Sequence, residues 1–306
     1  LNVLNVVAYV ANALIVYGIG LAGLIEGLPT NQELSEKYQT LITPIGWTFS
    51  IWAVIFISQF VFALVQLFSP FSGSVWVING VGYSYVGVCL AQVGWTFAFS
   101  YEVIWLSLVA MLAILFFLLR ILYAQYKISV GSSGGSGVSN NTRTLFRDYA
   151  LLRFPFAIHG GWILVASFLN VSVVLVDLEQ SDKVQYYVAL VSLVALLVIA
   201  AIALSLTKAE YVVPSVFAWA LVGIYFELDN PKDLIVNTFE ENDIFYVRDG
   251  SLIASGIILV SILINLVLGF IKFVRSSKKD SGSSNSKKSR EGSDYVRTDE
   301  DGVPAV

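Results

Sequence analysis

His159, Trp162, Ala166 and Asn170 advance by three, four and four residues, the step that keeps side chains on one face of an α-helix. They sit in the uncharged run Phe154 to Asn170. An imidazole, an indole and a carboxamide on one stripe can orient a ligand through hydrogen bonds and ring contacts. Turned toward hydrocarbon they would be costly, so the stripe is expected to face other helices. Gln92, Trp95 and Phe99 make a second stripe, at i, i+3 and i+7, and Trp47 and Trp52 lie in the aromatic segment Pro44 to Phe56. Flat conjugated molecules suit cavities lined by such rings with a few orienting polar groups. The candidate ligand-binding set is therefore Trp47, Trp52, Gln92, Trp95, His159, Trp162 and Asn170. Each has a plainer reading. Trp47 lies near a span boundary, where tryptophan anchors at the membrane interface. Gln92 and Asn170 serve equally as interhelical hydrogen bonds, and His159 as a helix contact, its imidazole being alternatively a ligand to iron.

Other chemistry is excluded by what is missing. One cysteine, Cys89, cannot close an internal disulfide, and with the single histidine it cannot build a usual zinc or iron site. No Ser/His/Asp arrangement, phosphate-binding loop or dinucleotide fingerprint occurs, so no catalytic residue is assigned and no enzyme is expected. A pI near 5.1 with basic residues clustered only in the tail leaves no footprint for nucleic acid.

The elements that must position these residues follow from composition. Of 306 residues 57% are hydrophobic and 13% charged, against about 25% charged in a soluble domain. Apolar runs long enough to cross about 30 Å of hydrocarbon as helix define eight predicted spans. They are 3–25, 44–68, 83–100, 103–125, 154–176, 184–206, 211–228 and 251–273. The expected fold is an all-α polytopic transmembrane bundle. A Gly/Ser-rich stretch, Gly131 to Gly137, predicts a flexible loop over 128–145, and the Ser- and charge-rich 276–306 a disordered, solvated tail. The domain reading is a five-helix unit over 1–177, three further helices over 178–275, and the tail. With the amino terminus on side one and eight alternating spans, 14 of the 18 lysines and arginines fall on that side. Because basic residues stay on the cytoplasmic face, both termini are expected there, in a membrane that the sequence does not name.

The segments carrying these stripes resemble the TspO/MBR family, the tryptophan-rich sensory proteins and translocator protein. The family's second helix ends in Pro-x-Trp-x-x-x-Tyr, and Trp52 and Phe56 stand at the Trp and Tyr positions. Its third helix carries Asn-x-x-Trp, which Gln92-x-x-Trp95 resembles. The turn Tyr101-Glu102 is similar to its hairpin into helix four, and Trp162 followed by Leu169-Asn170 reproduces the spacing of its fifth helix. The resemblance covers about residues 1–177 and leaves the last three spans without a counterpart. After Asn170 no aromatic is followed by a basic residue, so the sterol-recognition element of animal members has no equivalent.

The resemblance implies a five-helix core that binds porphyrin-like tetrapyrroles or lipids between its helices, in a sensory or translocator role, with the first loop as a cap. Leu28, Leu34, Tyr38 and Leu41 in the loop Glu26 to Thr43 are suited to close over an opening. No cofactor is required; a tetrapyrrole would be a ligand. Light-driven porphyrin degradation, reported for some bacterial members, is a minor expectation. A small-solute transporter and an accessory subunit of a larger membrane complex are the alternatives, and a homodimer is left open. Expected partners are the hydrophobic small molecule and membrane lipids, with the tail lysines either solvated or drawn to anionic lipid.

Overall fold

The architecture is that of a computed structural model, in which the described residues are 1–21, 23–131 and 142–291. Among them every regular element is helical. In a medium without water each backbone N–H and C=O must pair within its own segment, which overrides the modest helix propensity of valine- and isoleucine-rich stretches. The order is α1 (Asn2–Ile15), α2 (Asn31–Lys37), α3 (Ile51–Val65), α4 (Ser84–Ser100), α5 (Ile104–Gly131), α6 (Thr142–Asp148) and α7 (Phe154–Asp177). Then follow α8 (Asp182–Ser205), α9 (Val212–Asp229), α10 (Asp233–Thr238) and α11 (Glu241–Glu291).

Among the described residues seven helical stretches are long and apolar enough to cross a membrane: 2–20, 46–65, 104–131, 146–177, 182–205, 212–229 and 241–272. The protein is thus an integral, multi-pass helical bundle. Each falls on a predicted span, including 212–229. The predicted span 83–100 is absent from the seven because α4, at 17 residues, ends just short of an 18-residue window. It packs within the bundle all the same, against α5 and α1. Near its start Tyr85 donates to Gln59 of α3 and packs on Phe156 of α7, while the turn beyond its end meets loop 1 at Glu102.

Helix α7 is central, with buried residues around most of its circumference and contacts to α3, α5, α8 and α9. Before it, Tyr149–Arg153 widens into a π-turn. Pro155 has no N–H to give the preceding turn, a common cause of such local re-registration. Two glycines let helices close on it and on its neighbours. A β-carbon on Gly161 would lie 3.0 Å from Val216 of α9, and one on Gly223 of α9 would lie 2.1 Å from the Thr48 hydroxyl.

Three features bear on the organisation of the chain. The chain divides into compact units at 1–259 and 260–306, with no division after Asp177, because α9 packs directly on α7. The loop expected over 128–145 is narrower: α5 continues to Gly131 and α6 begins at Thr142, while 132–141 lie outside the described residues. Helix α11 continues through 276–291, where composition predicts a solvated tail; 292–306 lie outside the described residues.

Candidate functional site

Six of the seven candidate residues converge on the interior faces of α3, α4 and α7. Trp162 is 2% exposed, and its ring meets the edges of Phe49 at 5.6 Å and Trp52 at 6.2 Å between centroids. Trp52, half-buried, also lies 5.7 Å from the His159 ring and 5.8 Å from Phe56. His159 is fully buried, with Nδ1 2.7 Å from Gln59 Nε2 and Nε2 without a hydrogen-bond partner. Gln59 Oε1 in turn accepts from the Tyr85 hydroxyl at 3.1 Å.

A second group sits nearer loop 1. Trp95 Nε1 donates to Asn170 Oδ1 at 3.0 Å, and its ring stacks on Phe99 at 5.0 Å and 16°. Asn170 Nδ2 donates to Ser107 of α5 at 3.1 Å. Gln92 accepts from Asn12 of α1 at 3.0 Å, so its amide is committed to that helix contact. Both predicted stripes therefore face the bundle interior, where each amide finds a partner. Such interhelical bonds contribute about 1 kcal/mol each.

Trp47 does not join them. It is 39% exposed and packs edge-on against Trp219 of α9 at 4.7 Å and against Phe226 at 6.3 Å. Residues 46–50 form a 3-10 turn in front of α3, which rotates Trp47 away from Trp52. Trp219 Nε1 donates to the Thr48 carbonyl at 3.0 Å, and Ile45 N–H to the Gly223 carbonyl at 3.1 Å. Trp47 thus belongs to a seam with α9.

Sequence reasoning missed the polar residues that brace this interior. Asn5 bonds Gln66, Tyr9 the Phe56 carbonyl, and Asn12 Gln92. Asn5, Tyr9 and Asn12 advance by four and three on an uncharged helix, and Gln59 and Gln66 by seven, the same stripe signal that marked His159 and Asn170.

Loop 1 closes one end. A capping box starts α2, with Thr30 Oγ1 accepting from Glu33 N–H and the Glu33 carboxylate accepting from Thr30 N–H. Leu34 and Tyr38 bury against Phe99, Ile104 and Val173, beside Trp95 and Leu169. Leu41 is buried too, while Leu28 stays half-exposed. Two polar contacts hold the loop. Lys37 and the Tyr38 hydroxyl both bond Glu102 in the α4–α5 turn, the latter at 2.8 Å. On the other flank Gln39 Nε2 donates to Glu227 of α9 at 2.6 Å, and Lys232 lies 3.6 Å from the same carboxylate. The ammonium of Lys37, then the Tyr38 hydroxyl, holds the Glu102 carboxyl below its ordinary value, and Glu102 raises Lys37 in return.

At the opposite end of α7, Arg153 and Glu210 form a buried pair, Nη2 to Oε2 2.6 Å and Nε to Oε2 3.1 Å. Glu210 Oε1 also accepts from the Val212 N–H at 3.1 Å, just ahead of α9.

The sequence profile of the TSPO-like protein family matches residues 2–264. The chain belongs to that family. The match passes well beyond Asp177, through α8 and α9 and into α11, so these helices lie within the family's span and are not an appendage. The contacts of α9 with loop 1, with the 3-10 turn ahead of α3 and with α7 fit that extent. No curated protein and no solved structure gave a match.

Proposed function

We propose that this TSPO-like protein binds a planar hydrophobic ligand, of tetrapyrrole or similar conjugated type, between α3, α4, α5 and α7 beneath loop 1. The observation that carries the reading is the convergence of Trp52, His159 and Trp162 inside the bundle. Indole faces supply flat contact area, and His159, Trp95 and Asn170 supply the few polar groups that fix orientation. Loop 1, which covers this end and makes a solvent-accessible contact to Glu102, is the segment that admits and retains the guest. The role is sensing or translocation of that molecule; binding alone, without chemistry on the ligand, accounts for every residue in the set. Taken as a crossing, α4 brings the count to eight, and the basic bias then supports a reading with both termini in the cytoplasm.

Titration of the purified chain with protoporphyrin tests this. The expected result is saturable quenching of tryptophan fluorescence, weakened by Trp162→Ala; unsaturable quenching that ignores the substitution contradicts it.

A further inference from the structure

His159 carries a buried polar atom that nothing in the fold explains. Its ring is 0% exposed, yet Nε2 has no hydrogen-bond partner. Native interiors leave few such groups, and each calls for a reason. The neighbours of the other ring nitrogen decide what Nε2 is. The Tyr85 hydroxyl donates to Gln59 Oε1 at 3.1 Å, which turns the Gln59 amide nitrogen toward His159 at 2.7 Å. An amide nitrogen only donates, so Nδ1 must accept, and the single proton of a neutral imidazole then sits on Nε2.

We infer that the Tyr85–Gln59 relay fixes His159 as an Nε2–H donor, so that the site selects flat ligands bearing a neutral hydrogen-bond acceptor and does not bind iron through this imidazole. The inference rests on the binding reading above and names the ligand chemistry of the same site. The donor's ring stands 5.7 Å from the Trp52 ring, and Trp162, one turn further along the same face of α7, lies 6.2 Å from that indole. Trp52, half-buried, is the ring that shifts to admit the guest. A carbonyl or unprotonated imine nitrogen in the plane of a conjugated ring system meets both requirements, aromatic surface for the indoles and a lone pair for the N–H. A fused hydrocarbon meets only the first and leaves the donor unpaired. An iron porphyrin coordinated through Nε2 would need the proton moved to Nδ1, where it would face the Gln59 amide hydrogens.

His159 is the single histidine of the chain, so isotope-labelled histidine reports this ring alone. Nitrogen NMR of the full-length protein is expected to show Nε2 protonated and Nδ1 bare; the reverse pattern overturns the inference. Binding is read with two tricyclic probes, 9,10-anthraquinone and anthracene. The quinone is expected to bind roughly five- to tenfold tighter, the effect of one added hydrogen bond to a buried donor. His159→Phe should abolish that preference while keeping the rings in contact. Equal affinities in the wild type, or a preference that survives His159→Phe, overturn the acceptor rule and leave the aromatic site standing. Failure of both probes to bind saturably overturns the site together with the rule. Gln59→Glu supplies a converse measurement that needs no loss of packing. Its carboxylate accepts from Nδ1–H and bares Nε2, so iron protoporphyrin should show an imidazole–iron spectrum with this variant and not with the wild type. The same spectrum in the wild type contradicts the inference.

Discussion

The two ends of α7 are fastened in opposite ways. At its beginning Arg153 and Glu210 lock α7 to the segment entering α9, with both side chains under 10% exposed. At its far end loop 1 is held by the buried side chains of Leu34, Tyr38 and Leu41 and by the Gln39–Glu227 bond, and its charged contact is the Lys37–Glu102 pair, whose side chains are 57% and 35% exposed. A desolvated pair with short, multiple hydrogen bonds is costly to break, because the survivor is left charged and buried. An exposed pair, screened by water and salt, is made and broken at little cost. One end of α7 thus has its charge pair desolvated and the other has it exposed, with the ring cluster of Trp52, His159 and Trp162 between them.

The largest effect is expected from Arg153→Met, which leaves the Glu210 carboxylate buried without its cation. A loss of about 3–5 kcal/mol is anticipated, read as a large drop in unfolding temperature in detergent. A neutral result would remove the desolvated clasp from the comparison. Next comes Gly223→Ala. The added methyl would sit 2.1 Å from the Thr48 hydroxyl and 3.0 Å from its γ-methyl, so turning one away still leaves the other close. Overpacking of this kind costs about 1–3 kcal/mol, and Thr48→Ala in the same chain should restore most of it. Failure of that rescue would mean the α3–α9 seam is not the close approach described.

At the loop 1 end, effects should appear in exchange rates more than in stability. Glu227→Ala removes the acceptor for Gln39 and the partner of Lys232. It should speed dissociation of protoporphyrin severalfold while leaving the quenching amplitude intact. pH separates the two latches further. The folded Glu102 carboxyl titrates below its ordinary 4.5, so the latch contributes fully above 4.5 and is lost as pH falls through the lowered value. Lys37 is raised above 10.5, so its side of the contact is complete below 10.5 and lost as pH rises through the raised value. Ligand exchange should therefore be slow and flat across neutral pH and accelerate in acid, and stopped-flow release at several pH values checks this. The smallest change in stability is expected for Lys37→Ala, which should weaken the acid dependence of release, leaving the part due to Tyr38, with almost no shift in unfolding temperature.

Much of this was legible in the sequence, for reasons visible in particular residues. Long uncharged runs fix where helices lie, since lipid leaves the backbone no other choice, and all seven long apolar helices fell on predicted spans. The His159–Trp162–Asn170 stripe faces inward because polar atoms in hydrocarbon must find partners. Trp47 was misplaced because a 3-10 turn ahead of α3 changes the angular step per residue, which spacing alone does not reveal. The C-terminal helices were set apart because Gly161, Gly223 and the Arg153–Glu210 pair are isolated letters whose meaning appears only when α7 and α9 meet. The direction of the His159 proton was hidden for the same reason, since it depends on Gln59 and Tyr85 from two other helices.

The most direct test is an experimental structure of the protein saturated with protoporphyrin. Density for the flat ring system is expected inside the bundle, bounded by Trp52, His159 and Trp162 and covered by loop 1. A shallow apolar groove on α8, lined by Leu190, Val191, Val194 and Val198, offers the competing location. Density confined to that groove, with the interior rings still packed edge to edge, would contradict the account.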